Sequence, residues 1–324
     1  MHFTRRHLLA AGTALLAARS ASSQAAWPNR SVRLISSSPP AGASDILTRT
    51  LAQALQEQTG QSFVVENKAG VAGVIGSDFV AKSAPDGYTW LTANVGPQAI
   101  NQTLLPHQPF DSAKDFRYVT IIGRLPIVML VNKDLPAKDL KEFVALARSR
   151  PGALNFGSGG NGTLLHLTGE LLKIAAGIDM QHVPYRGAQA ATQDLMGGRL
   201  EAMFDSLPSA APHIRSGTVR ALAVSTSARS PTFPEIPTIA EQGYPQVVTT
   251  NWFAFAGPAG VPDDVIARMH AECTRALKSP AVIERLANIG VEPGGDPPGE
   301  TQAFVLAEIE RWAKVVTETG TKMN

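Results

Sequence analysis

The chain has 324 residues, with 29 basic and 27 acidic side chains, 44% hydrophobic and 6% aromatic residues, and a single cysteine, Cys273. No basic stripe stands out, which excludes a nucleic acid or an anionic lipid surface as the expected partner. One cysteine excludes an internal disulfide, and ordinary composition at this length fits two domains or one large one.

Residues 1–26 read as an export signal. Arg5 and Arg6 precede an apolar run, Leu8–Ala18, well short of the roughly 20 residues a membrane-spanning helix needs. Small residues follow, so cleavage is expected near residue 25 or 26. Thr4-Arg5-Arg6-His7-Leu8-Leu9 is similar to a twin-arginine signal, with an ordinary secretory signal as the alternative; both lead to the periplasm. Removing the segment takes away Arg5, Arg6 and Arg19 and no acidic residue, so 29 basic residues become 26 against 27 acidic ones. The positive balance of the full chain belongs to the signal. No later apolar run approaches membrane-spanning length.

From residue 31 onward, strand and helix signals alternate. Ser31–Ser38 is a β-type run broken by Pro39-Pro40-Ala41-Gly42, after which Ser44 is placed to cap a helix through about Gln58. Phe63–Glu66 reads as a strand, 76–83 as a helix, Tyr88–Asn94 and Ile127–Val131 as strands, and 139–149 as a helix stopped by Pro151. Strand 153–156, a glycine loop and helix 163–176 follow, then strand 181–185, helix 188–196 and strands 200–204 and 220–225. Trp252–Ala256 is strand-like, and 262–278 and 298–318 are helical. Such alternation argues for an α/β fold with mainly parallel sheets flanked by helices.

A strand, a loop of small residues and a helix occur twice, at 31–58 and 153–176. That duplication predicts two lobes, 27–124 with 250–324 and 125–249, linked near Gly123–Pro126 and Val248–Trp252. Ligands of open α/β sheets sit beyond the carboxyl ends of strands, so two such loops can grip one anion across a cleft. The first N–H groups of a helix lack intrahelical partners and carry partial positive charge, so a carboxylate fits there without Lys or Arg. In the second loop Gly157, Gly159, Gly160 and Gly162 permit close backbone approach, and Ser158, Asn161 and Thr163 add donors. In the first, Ala41, Gly42 and Ala43 offer N–H groups beside Ser44. Four charge-assisted hydrogen bonds give roughly 6–12 kcal/mol against an association cost of about 4–15 kcal/mol, so one loop alone binds weakly. Asp45 either stabilises its helix dipole or orients the loop.

Gly157, Gly159 and Gly162 also satisfy G-x-G-x-x-G, with Asp179 seventeen residues on, which leaves an exported NAD(P)-dependent oxidoreductase as an alternative. Catalytic patterns are otherwise poor: G-x-S-x-G, H-E-x-x-H and C-x-x-C are all absent, so no enzyme, no cofactor and no metal is expected. His166 and Glu170, one helical turn apart with His182 nearby, can be a metal pair but fit packed or capping histidines better. Tyr185 and Arg186 can line the cleft or merely end a strand, and Asp205 faces the cleft if its strand is parallel.

The stretches "WPNRSVRLISSSPPAGASD", "VVENKAGVAGVIGSDFVAKSAPDGYTWL", "LNFGSGGNGTLLHLTGELL", "HVPYRGAQAATQDLMGGRLEAMFD", "RALAVSTSARSPTFPEIPTIAEQGYP" and "ERWAKVV" resemble the Bug family, the TctC-like periplasmic solute-binding proteins of tripartite tricarboxylate transporters. The resemblance spans essentially all of residues 27–324. It implies a two-lobed periplasmic binding protein of type II, a monomer that closes on a small carboxylate and hands it to the transporter's membrane subunits. A carboxylate sensor would use the same cleft. The resemblance places one ligand carboxylate between the loop matching Ser38–Asp45, which includes Pro40, and the loop matching Ser158–Thr163, partly through waters. It adds Asn94 at a strand end, and Tyr185 and Asp205 as cleft-lining residues. The family pattern P-P-G-G-x-x-D becomes Pro39-Pro40-Ala41-Gly42-Ala43-Ser44-Asp45 here, so a methyl stands where a glycine is usual and the ligand can differ in size or pose.

Overall fold

The computed structural model describes residues 27–40, 42–105 and 107–322; the expected export signal and Ala41 lie outside the described residues. Its strands are β1 (Val32–Ser36), β2 (Phe63–Asn67), β3 (Thr89–Asn94), β4 (Phe116–Asn132), β5 (Asn155–Ser158), β6 (Gln181–Pro184), β7 (Ala202–Ser206), β8 (Val219–Val224), β9 (Thr250–Pro258) and β10 (Glu292–Pro293). The helices are α1 (Ala43–Thr59), α2 (Val74–Ala81), α3 (Asn101–Leu104), α4 (Leu140–Ser149), α5 (Leu164–Ala176), α6 (Ala188–Met196), α7 (Leu207–Arg215), α8 (Asp263–Leu277), α9 (Pro280–Asn288) and α10 (Pro298–Thr319). No helix among the described residues is long and apolar enough to cross a membrane.

β4 organises everything else. It begins at Phe116 rather than Ile127 and pairs antiparallel with β9 from Phe116 to Pro126, then with β7 and β8 from Ile127 to Asn132. One strand therefore belongs to two sheets. The first is ordered β2-β1-β3-β9-β4, with β10 on the outer edge of β4, and the second β8-β4-β7-β5-β6. The outer strands are parallel, as the alternating pattern implies; the strands around β4 are antiparallel because the chain crosses on β4 and returns on β9. The return enters β9 at Thr250, opposite Pro126.

Burial explains why β4 can serve both. Ile127, Met129 and Val131 face a core that continues under both sheets, while Val128 and Leu130 face the opposite side. The shared core also holds Ile35, Leu91, Phe156, Phe204, Trp252 and Trp312. On the other face the core divides in two, one part around Leu47, Trp90 and Met269 and the other around Leu195, Met203 and Phe233. α10 lies along the shared face, touching β4, α3 and α5.

The two crossings are tied together. Ser225, fully buried after β8, donates its N–H to Ile127 O at 2.9 Å and its hydroxyl to Thr249 O at 2.7 Å, while Thr249 N–H donates to Ser225 O at 2.8 Å. From α10, Glu308 Oε2 accepts the indole N–H groups of Trp252 (3.0 Å) and Trp312 (3.1 Å), and Arg311 donates to Val248 O.

Candidate functional site

The pairing registers orient both candidate loops. β1 and β3 run parallel, and Asn94 at the end of β3 pairs with Phe253, three residues into β9. In the second sheet Ser206 at the end of β7 pairs with Ile127, and β5 and β6 run parallel to β7 and to each other. The carboxyl ends of β1, β3, β5, β6 and β7 therefore all point toward the level where β4 and β9 cross.

In the first loop, Gly42 is the N-cap of α1, extended at φ −74° and ψ 164°, with no side-chain cap. Ser44 is not the cap; it sits in the first turn, buried, its Oγ without a hydrogen-bond partner among the described residues. Ala43 and Ser44 N–H groups have no partner among the described residues either. Asp45, 3% exposed, is an internal brace: Oδ2 accepts from Arg49 Nε at 3.0 Å and Oδ1 from Asn67 Nδ2 at 2.8 Å. Asn67 Nδ2 also donates to Ser38 O at 3.1 Å, so Asp45 holds the loop through Asn67. Asn94 accepts from Gly96 N–H (3.2 Å) and donates to Ser37 Oγ (3.4 Å).

A cavity of about 320 Å³ adjoins this loop, lined by Ser37, Ser38, Pro39, Gly70, Gly73 and Asn94 among others, and by no residue of the glycine loop. Pro40 and Gly42 are exposed close by in sequence. Its far wall carries backbone strain. Val71 and Ala72 both adopt positive φ, 44° and 52°, which is costly for non-glycine residues and above all for a β-branched one. Sequence reasoning passed over this wall, although Gly70 and Gly73 flank it in "KAGVAG".

The glycine loop is arranged differently. Thr163 caps α5, accepting His166 N–H at 3.3 Å while its hydroxyl donates to Gly160 O at 2.8 Å. Ser158 Oγ accepts Gly160 N–H at 3.2 Å and lies 2.7 Å from His182 Nε2. Gly162 N–H, buried, donates to His166 Nδ1 at 3.1 Å. Two amides expected to grip an anion, those of Gly160 and Gly162, are thus engaged by side chains. Gly159 and Asn161 N–H groups keep no partner among the described residues.

Three of the loop's four glycines have a local reason. Gly160 and Gly162 adopt φ of 136° and 71°, and a Cβ on Gly157 would stand 2.6 Å from Leu200 Cδ1. Asp179 precedes β6, at the opposite end of the sheet from the loop. The dinucleotide pattern therefore lacks its acidic partner at the carboxyl end of the next strand.

Tyr185 turns its hydroxyl onto Asp194 Oδ2 at 2.7 Å, and burial together with that carboxylate pushes its pKa up to about 12. Arg186 is exposed. Asp205, 3% exposed, accepts from Ser206 N–H at 2.7 Å, and its Oδ2 has no hydrogen-bond partner within geometric limits among the described residues. Burial raises its pKa above the ordinary carboxylate range, against the opposing effects of Ser206, Ser209 and His213. His166, Glu170 and His182 do come together. The imidazoles stack at 3.7 Å between centroids, and His166 Nε2 is 3.7 Å from Glu170 Oε1. Because His166 Nδ1 accepts an N–H, its proton sits on Nε2, and that ring cannot ligate a metal while it holds Gly162. A larger cavity, about 410 Å³, lies between α7 and α9, lined by Leu207, Phe233, Ile283 and Val291 among others; none of its lining residues is a candidate ligand-binding residue in the sequence.

A family model described as tripartite tricarboxylate transporter family receptor matches residues 47–321. Protein BugT of Bordetella pertussis is 40% identical over 298 residues, covering 92% of this chain and 91% of BugT. Among solved structures, R. palustris Rpa4515 with adipate is 36% identical with a TM-score of 0.76, covering 92% of this chain and 100% of that one. MatC from Rhodopseudomonas palustris with bound malate is 30% identical with a TM-score of 0.72, covering 90% and 100%. The chain belongs to the tripartite tricarboxylate transporter receptor family, the TctC and Bug solute-binding proteins.

Proposed function

We propose that this receptor-family protein is exported, binds a small dicarboxylate between two lobes, and delivers it as a monomer to the membrane subunits of a tripartite transporter. The lobes are 27–124 with 250–324, and 125–249. The observation that carries the reading is the pair of helix-start loops that end β1 and β5, each with unpartnered N–H groups and each aimed at the level where β4 and β9 cross. Both loops suit a carboxylate without a positive side chain. Relatives solved with adipate and malate support a dicarboxylate as the ligand class.

The ligand carboxylate is held by the amides of Gly42, Ala43 and Ser44 on one side and those of Gly159 and Asn161 on the other. Asn94 borders it, and Asp205 lies behind the second loop. Asp45 acts through Asn67, and Gly160 and Gly162 shape the loop rather than touch the ligand.

A thermal-shift screen against adipate, malate and other di- and tricarboxylates tests the reading, followed by calorimetry on any stabilising compound. Ligand raises the melting temperature by mass action, so a clear shift is expected for at least one dicarboxylate. No shift from any carboxylate would sink it. Small-angle scattering should also show closure at saturating ligand; an unchanged profile counts against the two-lobe mechanism.

A further inference from the structure

The glycine loop rests on two stacked histidines for which the reading above has no use. His166 rises from the first turn of α5 and His182 from β6, their rings 3.7 Å apart and 15° from parallel, with Phe156 packed against both. Each ring holds a different part of the loop: His166 Nδ1 takes the Gly162 N–H at 3.1 Å, and His182 Nε2 meets Ser158 Oγ at 2.7 Å. Ser158 in turn receives the Gly160 N–H. The pair borders a cavity of about 350 Å³ between α5 and the end of α10, whose lining also includes Asn161 of the loop.

We propose that His166, stacked on His182, is a positioning residue that holds the glycine loop by the Gly162 N–H, so that the loop's grip on an anion weakens as His166 gains a proton. The proposal rests on the function assigned above for its anion, though its first half is independent of any ligand. The chemistry is one of lone pairs. Neutral His166 offers Nδ1 as an acceptor; imidazolium offers only donors, and the buried Gly162 N–H then faces a second N–H. A buried amide left without a partner is expensive, so the loop must move.

The charged groups around the pair are Glu170 and Lys173 on α5 and Lys322 beyond α10. Glu170 Oε1 lies 3.7 Å from His166 Nε2, and the carboxylate is shared with Lys173 at 3.0 Å. Burial raises the pKa of Glu170, but hydrogen bonds from His166 and Lys173 outweigh it and keep the carboxyl below its usual range. Burial and the neighbouring His166 push His182 down to about 4, so His182 stays neutral near pH 7. Protonation of His166 removes the arrangement, so affinity is full at alkaline pH and falls as pH drops.

Two measurements on the full mature chain test this. In ligand-free protein, the Gly162 amide resonance is followed from about pH 8 to about pH 5, the span in which histidine normally titrates. It should move along a one-proton curve in the wild type and stay fixed in H166N, whose Oδ1 can still accept the Gly162 N–H. In parallel, calorimetry with adipate and malate at about pH 8 should show roughly a tenfold loss of affinity in H166L, mostly recovered in H166N, with the acid-side decline flattened in H166N. A Gly162 resonance indifferent to pH overturns the proposal, as does H166L binding as tightly as wild type. If neither acid binds while Gly162 titrates as expected, the positioning role of His166 stands and the ligand assignment fails.

Discussion

The two candidate loops do the same geometric job with opposite construction. The glycine loop is held from within: Ser158, Thr163 and His166 each bond its backbone, and two of its amides are consumed in doing so. The first loop has one glycine among its described residues and no side-chain cap, and it is held from outside by Asn67 of β2, with Asp45 and Arg49 behind. Counting glycines therefore misjudges which loop has amides to offer. Conformational freedom lets a loop bend back onto its own side chains, whereas a loop braced from a neighbouring strand spends fewer of its amides on itself.

That contrast can be broken with substitutions of graded effect. Gly159→Asp puts a carboxylate beside an amide that remains open, and an added Cβ meets Ala188 N at 3.4 Å and the Gly187 backbone at 3.7 Å, ordinary contacts. Dicarboxylate affinity should fall on the order of a hundredfold or more with the fold intact, by calorimetry and circular dichroism. Wild-type affinity would remove Gly159 from the site. Asn67→Ala withdraws the outside brace from Ser38 and Asp45 together; affinity should drop about tenfold and stability by about 1–2 kcal/mol in urea titration. An effect confined to stability would mean that the first loop does not hold ligand.

Thr163→Ala tests the inside brace. Loss of the cap should cost about 1 kcal/mol of stability, with less change in affinity than Asn67→Ala, because Ser158 and His166 still hold the loop. The smallest effect is expected at Asp205. Its folded pKa is raised, chiefly by burial, so its charged form is destabilising in the folded chain; that penalty is present above the folded pKa and fades as pH falls toward the unfolded value. Asp205→Asn should therefore stabilise by about 1 kcal/mol or less near pH 8, with the gain vanishing in acid. A pH-independent difference would contradict the buried, unpaired oxygen.

Much of the scaffold was legible. Asp139 before α4 and Thr163 before α5 cap as their residue types suggest, and most helices fall within a residue or two of the expected spans. The first half of β4 was not legible, because Arg117, Gly123, Arg124 and Pro126 interrupt its apolar pattern; these positions make sense only once β9 and β10 lie alongside. α7 was hidden by Pro208 and Pro212, and α9 went unread although Ser279 followed by Pro280 is a helix-start signal. At the site, the two loops were visible as composition, but their braces were not. Asn67 stands 22 residues from Asp45, and His182 stands 24 from Ser158, distances that only the β1–β2 and β5–β6 pairings close.

The knot at Ser225 limits how such a protein can bend. A hydroxyl and two peptide groups fasten the outgoing and returning strands at one level, and the Trp252–Glu308–Arg311 cluster splints the returning strand just beyond it. Were one half to swing against the other, the pivot would fall near this fastening, and clipping the carboxy-terminal helix would slacken the joint.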